Sequence, residues 1–407
     1  MSLMDWYFYI GIIAVVLQVL FLLLAVHNYR YAMSRYKRKR QWYRPKTALI
    51  VPCKGIDINF GTNITSFYNQ QYEDYVLYFV VEDKTDPAYE HLCKIKEKLF
   101  ADSQVKEVFI LEAGKSQTCS QKLHNLLHCY RQLGEDIEAM AFADSDVCIQ
   151  PNWLSHIVYP IRHPKCGASS GYRWFIPEKR NLATIALAAL NAKVTQLLGN
   201  TNFNQAWGGS MAIKVDVFEE LGIDKIWVNA LSDDLSLSYA VKKAHKKVTF
   251  VPACLVASYE KTSWAKLWEF GRRQFLITRV SSPCTWLFGL VSSFFAVLGL
   301  WGGLWMSIYA FENNLNGKWF SVIVPVSFFI FPAMRAIMRQ LTAVRLLSDK
   351  DRTKMKATVI ADIGFFWVWH ILMLLIIVSS AFGRTIVWRS IKYKLLGPTE
   401  TIIIDQK

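Results

Sequence analysis

Charge is scarce in this sequence: only 19% of its 407 residues are charged, and acids are the minority, 32 Asp and Glu against 47 Lys and Arg. With 53% hydrophobic residues and a mean hydropathy of +0.18, that shortage excludes an ordinary soluble enzyme and points to a membrane protein. The eight cysteines include no Cys-x-x-Cys pair and no metal-ligand spacing with histidine, which excludes a cysteine–histidine metal centre. In a reducing cytoplasm such cysteines are expected to be small buried side chains. Internal repeats and low-complexity tracts are also absent, and the length leaves room for one or two domains, since single cores stop growing near roughly 250–300 residues.

What is present is unevenly spread. Trp6 to Val26 is an almost unbroken apolar run, about the 20 residues that a helix needs to cross a bilayer. No basic stretch precedes it and no small-residue cleavage site follows it, so it reads as a signal anchor and not as a removed signal peptide. The segment Arg30 to Lys46 is crowded with Lys and Arg, which predicts that the chain enters the cytoplasm there. The positive excess is then assigned to topology and anionic headgroups, not to nucleic acid.

From Lys46 to about Arg279 the pattern alternates β-rich runs, "TALIVPC", "YVLYFVVED", "VKEVFIL" and "AMAFADSD", with segments of helical length such as "DPAYEHLCKIKEKLF". This order predicts an α/β domain with a mostly parallel sheet. Three further apolar segments follow, at 285–311, 319–338 and 358–383. The expected division is a membrane anchor over 1–30, a basic linker over 31–46, a cytoplasmic α/β domain over 47–280, membrane helices over 281–384 and a tail over 385–407. Four through-going spans would leave the basic stretch Arg384 to Lys394 on the far side of the membrane; an interfacial or re-entrant last segment removes that conflict. "NLATIALAALNAKVTQLLG", 181–199, is too short to span and is expected to be a buried or interface-lying helix.

Ligands gather beyond the C-terminal ends of strands in such sheets, and acids stand at those ends. Asp83 closes "YFVVED", and Asp144 with Asp146 follows "MAFA". In an extended segment Asp144 and Asp146 point to one side with Ser145 facing away, and two hard carboxylates so placed suit Mg²⁺ or Mn²⁺. An isolated Asp-Ser-Asp turn is the plainer reading; the other acid pairs shift the balance. Ser232, Asp233 and Asp234 open a helical pattern, where one acid suffices as a cap and a second is available as a general base. In the membrane segments Asp362 and His370 are the costly residues, and such groups face protein or water.

Taken in order, "VVEDKTDPAY", "SQKLHNL", "ADSD", "WGGSMAIK" and "SDDLSLSYAV", followed by an Arg-rich segment and apolar spans, resemble the ceramide glucosyltransferase family of inverting, family-2-like enzymes with a GT-A (Rossmann-like) fold. The resemblance implies that Asp83 contacts the nucleoside of a UDP-sugar, that Lys122 stands near the donor, and that Asp144 and Asp146 hold a divalent metal on its diphosphate. It places Asp234 as the base and Trp207, Gly208, Gly209 and Asp233 at the acceptor side. Arg272 and Arg273 of "WEFGRRQFLITR" would present forked donors to the diphosphate, with Arg273 in the catalytic position and Arg279 shared between that role and the membrane surface. This segment departs from the family's Q/R-x-x-R-W pattern, with Phe270, Arg273 and Gln274 at its first, fourth and fifth positions, which leaves the acceptor open among ceramide, diacylglycerol and polyprenyl or hopanoid lipids. The family implies a multi-pass membrane enzyme that moves a hexose from UDP-glucose to a lipid hydroxyl. The rival readings are a processive polysaccharide synthase and a non-enzymatic scaffold.

Overall fold

The computed structural model describes residues 3–38, 42–389 and 391–406. Residues 39–41 of the basic linker, the first two residues of the anchor, and positions 390 and 407 of the tail lie outside the described part.

Eight strands form the main sheet: β1 Thr47–Pro52, β2 Tyr75–Val81, β3 Glu107–Glu112, β4 Ala139–Ala143, β5 Val147–Cys148, β6 Cys166–Pro177, β7 Ser210–Lys214 and β8 Lys247–Glu260. Their order is β3-β2-β1-β4-β7-β6-β8-β5. The half built from the four predicted strands is parallel, whereas β7 and β5 run antiparallel to their neighbours. Each β1 side chain is buried on one face or the other: Leu49 and Val51 join one apolar cluster, Ala48 and Ile50 the opposite one. Both sheet faces are therefore covered, as continuous apolar strands require.

Local chemistry sets where the crossover helices begin. Asp86 caps helix Pro87–Leu99 by accepting Ala88 N–H, with Pro87 at the first helical position, where it has no hydrogen bond to lose. Ser120 caps Gln121–Tyr130 through Leu123 N–H, and Ser232 caps Asp233–Lys243 through Leu235 N–H. Each such cap is worth about 1 kcal/mol.

Three described helices are long and apolar enough to cross a membrane: Leu3–Arg35, the run Pro283–Glu312 and the run Lys318–Leu346. A fourth candidate, Lys356–Gly364 with Phe366–Ser379, bends by 83° at its break. Asp362 lies in this bent pair, fully buried, where Arg339 Nε donates to Oδ2 at 2.6 Å and Gln340 Nε2 donates to the same oxygen at 2.7 Å. Helix Leu182–Thr195 is buried along most of its length and packs against the bent pair and against helix Trp264–Ser281.

The tail forms a three-stranded antiparallel sheet, β9 Thr385–Trp388, β10 Ile391–Gly397 and β11 Glu400–Gln406. Ile386, Ile391, Tyr393 and Leu395 bury against Leu231, Leu276 and Ile277. Arg389 Nη1 donates to Lys54 O at 2.9 Å. The tail thus sits on the α/β domain. The start of the bent pair is also held there, by Tyr259 Oη donating to Asp351 at 2.8 Å and by the Lys354–Glu178 ion pair. Both ends of the pair lie on the domain side, the arrangement a re-entrant segment produces.

Candidate active site

The site forms where β4 stops. Pairing with β7 ends at Ala143 opposite Ser210, and Val147 N–H reaches back to Asp144 O, so Asp144-Ser145-Asp146 is a turn and not the extended segment expected from alternation. Ser145 does not face away: its hydroxyl donates to Asp57 Oδ2 at 2.6 Å and lines the same cleft as the two aspartates.

Lys122 joins the acids together. From the first turn of helix Gln121–Tyr130 its Nζ lies 2.7 Å from Asp144 Oδ1 and 2.9 Å from Asp233 Oδ2. Burial opposes the charge on Lys122, but Asp144, Asp233 and Asp234 outweigh it and hold the amine protonated well above the ordinary lysine value. Asp233, expected at the acceptor side, is buried against Lys122 and so is coupled to Asp144. Burial, with the like charges of Asp234 and Asp144 and against the pull of Lys122, raises the Asp233 carboxyl to about 6.

Gly208 and Gly209 allow this close approach. A Cβ on Gly208 would sit 2.0 Å from Asp233 Oδ2, and one on Gly209 would sit 2.3 Å from the Trp207 ring and 2.7 Å from Asp144 Oδ2. Asp234 is half-buried: Oδ2 accepts Gly208 N–H at 3.1 Å, while Oδ1 accepts Leu235 N–H at 2.7 Å and the Ser232 hydroxyl. Its orientation is fixed from both oxygens.

Asp146 lies deeper. Its Oδ1 is buried with no hydrogen-bond partner among the described residues. Burial first, then the charge of Asp144, raises its carboxyl to about 7 despite the attraction of Arg173. A buried carboxylate oxygen without a donor, next to a second carboxylate at a cleft, is a donor set that fits a hard divalent cation. No group of three or more His, Cys, Asp or Glu suited to a metal occurs among the described residues; Asp57 and Ser145 line the cleft beside the two aspartates.

Arginines surround these acids, and their roles divide. Arg273 lies over the rings of Phe270 and Trp388, 5.5 and 5.8 Å from their centroids, between the Trp264–Ser281 helix and the tail. Arg272 is committed elsewhere, donating to Ser379 O at 3.2 Å and Phe382 O at 3.0 Å, and Arg279 donates to Gly383 O. These two satisfy carbonyls at and just past the end of the bent helix pair, and neither lines the cleft. Asp83 is likewise held in a local turn by Thr85 N–H at 2.7 Å and the Thr85 hydroxyl, and it does not line the cleft. Those hydrogen bonds lower its carboxyl pKa.

Several cleft residues escaped the sequence reading. Lys54 and Asp57 follow β1; Trp388, Arg389 and Tyr393 come from the tail. Arg389 takes a positive φ of 50° and lies 3.4 Å from Asp57 Oδ1. Arg173 of β6 lies over Trp207 and Phe270, 5.4 and 5.0 Å from their centroids, and acts on Asp146. Asp57 carried a signal, being an acid just beyond a buried strand; Arg389 carried none, because its partners are more than 300 residues away in sequence.

Two solved structures share parts of this fold. A mannosyltransferase from Pyrobaculum calidifontis, solved with GDP-Man and Mn²⁺, is 13% identical over 92% of this chain and 97% of its own, with a TM-score of 0.44. GalNAc-T7, solved with UDP, GalNAc and Mn²⁺, is 12% identical over 58% of this chain and 51% of its own, with a TM-score of 0.39. The profile of glycosyl transferase family 21 matches residues 10–400, the sheet domain, the apolar helices and nearly all of the tail. The chain belongs to glycosyl transferase family 21 and is a glycosyltransferase with a mixed α/β, GT-A-like domain.

Proposed function

We propose that this protein is a multi-pass membrane glycosyltransferase that moves a hexose, glucose foremost, from a UDP-sugar to the hydroxyl of a membrane lipid, with inversion at the anomeric carbon. The observation that carries the reading is the cluster in which Lys122 joins Asp144, beside Asp146 at the cleft, to the buried Asp233, with Asp234 next to it on Gly208 N–H, in a domain tied to apolar helices at both ends. Basic flanks put that domain in the cytoplasm.

Asp144 and Asp146 would hold Mg²⁺ or Mn²⁺, which supplies charge neutralisation for the departing diphosphate. Lys122 adds fixed positive charge beside Asp144, Arg389 adds more from the tail's wall of the cleft, and Arg273 stands behind it over the Trp388 ring. Asp234 accepts the proton of the lipid hydroxyl as that oxygen bonds to the anomeric carbon. The bond from carbon to phosphate oxygen breaks on the opposite face, and its electron pair leaves with the nucleoside diphosphate. Gly208 N–H and the Ser232 cap aim the Asp234 carboxylate, so no reorientation is needed at the moment of transfer. Asp83 would contact the nucleoside, since both Thr85 hydrogen bonds fall on Oδ1 and leave Oδ2 to do so.

The test is transfer by purified full-length protein in lipid, supplied with a panel of UDP-sugars and Mg²⁺ or Mn²⁺, with mass spectrometry of the lipid fraction. A hexose mass increment on a lipid is expected, lost with chelator and in Asp144→Asn, and reduced roughly 10²–10⁴-fold in Asp234→Asn. Product retained as polymer would replace this reading with a polysaccharide synthase. Full cellular phenotype in both folded variants would end the catalytic assignment.

A further inference from the structure

A groove separate from the cleft opens between the first helix, Leu3–Arg35, and the helical run Pro283–Glu312. Phe21 and Leu24 form one wall and Phe288 and Phe295 the other, and it shares no lining residue with the cleft. Neighbouring faces of both helices are apolar and exposed, including Leu20, Leu23, Val291 and Phe294, so the groove opens sideways into lipid.

Its floor is cationic. Lys193, Arg335, Arg339 and His370 line it, together with no Asp or Glu. Arg339 is spent on Asp362 and on Gln196 Oε1 at 3.1 Å. Arg335 donates Nη1 to Gln18 Oε1 at 2.8 Å and lies 5.8 Å from the Phe21 ring centroid, and it forms no ion pair among the described residues. Lys193 Nζ is shut off from solvent and has no hydrogen-bond partner among the described residues. Asp362, the carboxylate that attracts it, is already held by Arg339 and Gln340. Arg335 therefore carries a charge with no carboxylate beside it, and burial disfavours the charged form of Lys193, whose amine has no acceptor.

We infer that this groove binds an anionic phospholipid of the surrounding membrane, its phosphate compensating Lys193 and Arg335 and its acyl chains lying along the phenylalanine walls. A neutral lipid would leave Arg335 without a counter-charge and the Lys193 amine without an anionic acceptor. A free anion would leave water for an apolar slot that opens to the bilayer, whereas a phospholipid brings charge and chains together. The groove lies on the domain side of the helices: Asn28 of the first helix donates to Gln196 O at 3.1 Å, and Gln196 Nε2 donates to Arg335 O at 2.8 Å. Bound lipid would thus brace the first helix against the domain.

The experiment uses full-length protein in neutral detergent, with thermal midpoints and native mass spectra recorded after adding phosphatidylglycerol, phosphatidylcholine, diacylglycerol or inorganic phosphate. Phosphatidylglycerol should raise the midpoint by several degrees more than the others and remain bound in the spectrometer. Lys193→Met should weaken that binding at least tenfold while raising the lipid-free midpoint, because a buried amine without a hydrogen-bond partner is gone. Arg335→Gln should weaken the binding too, which keeps the test decisive if the first variant does not fold. Equal responses to phosphatidylglycerol and phosphatidylcholine, an undiminished preference in either variant, a full shift with inorganic phosphate alone, or a larger shift with diacylglycerol would each overturn the assignment. These readouts do not depend on transfer activity, so failure of the lipid site and failure of the proposed reaction are distinguishable.

Discussion

Asp233 and Asp234 are adjacent in sequence, yet their surroundings assign them opposite work. Asp233 is buried on Lys122, whereas Asp234 is half-buried and aimed by Gly208 N–H. The burial of Asp233 gives a pH signature. Its folded pKa of about 6 lies above the ordinary aspartate value of 3.8, so the folded protein holds this proton more tightly than the unfolded chain. That contribution to stability is fully present below the unfolded pKa and is lost as pH rises through about 6. Asp233→Asn cannot ionise, so its thermal midpoint relative to wild type should climb between pH 4.5 and 7. Melting curves of both proteins across that range check this, and a constant difference would sink it. The acids themselves were legible in sequence from their places at strand and helix ends. The division of labour within the pair was not, because it depends on Lys122, over 100 residues upstream, and on two glycines.

At the scale of elements, the parallel half of the sheet and its crossover helices were readable, since apolar runs, caps and lengths are local signals: "AMAFA" is β4 and "PAYEHLCKIKEKL" is a helix over the same residues. The later strands β5 to β8 were less so, because their pairing partners are distant. The arginines of "WEFGRRQFLITR" show the same limit: composition marks them as anion donors, but Arg272 and Arg279 sit where a bent helix pair leaves carbonyls to satisfy. Close to the break in that pair lies the Arg339–Asp362 ion pair, buried at both partners. Removing one partner of a buried pair costs about 3–5 kcal/mol, while replacing both by apolar groups is often neutral. Arg339→Leu should therefore lower the thermal midpoint in detergent markedly, and Arg339→Leu/Asp362→Leu should recover most of the loss. A double variant no better than the single one would show that the pair is not the anchor of the bend.

For the whole molecule, the tail decides the topology. Counting apolar segments gives four crossings and a tail opposite the domain, against its own basic residues. The structure instead seats β9 and β10 on the domain, with Tyr393 in a shared core and Arg389 on the β1 loop. Every cleft cation from the tail then depends on the last apolar segment turning back, which its 83° bend allows. The sequence held both halves of this answer, the Arg384 to Lys394 charge and the break around Gly364 and Phe365, but nothing local joins them. Single cysteines introduced into Cys284→Ser protein at Lys98 in the domain, Lys394 in the tail and Asn313 in the turn between two membrane helices test the arrangement with an impermeant thiol reagent on sealed vesicles of known orientation. Lys98→Cys and Lys394→Cys should react from the same face, and Asn313→Cys from the other. Labelling of Lys394→Cys together with Asn313→Cys would mean that the last segment crosses the membrane, and it would detach Arg389 and Trp388 from the site.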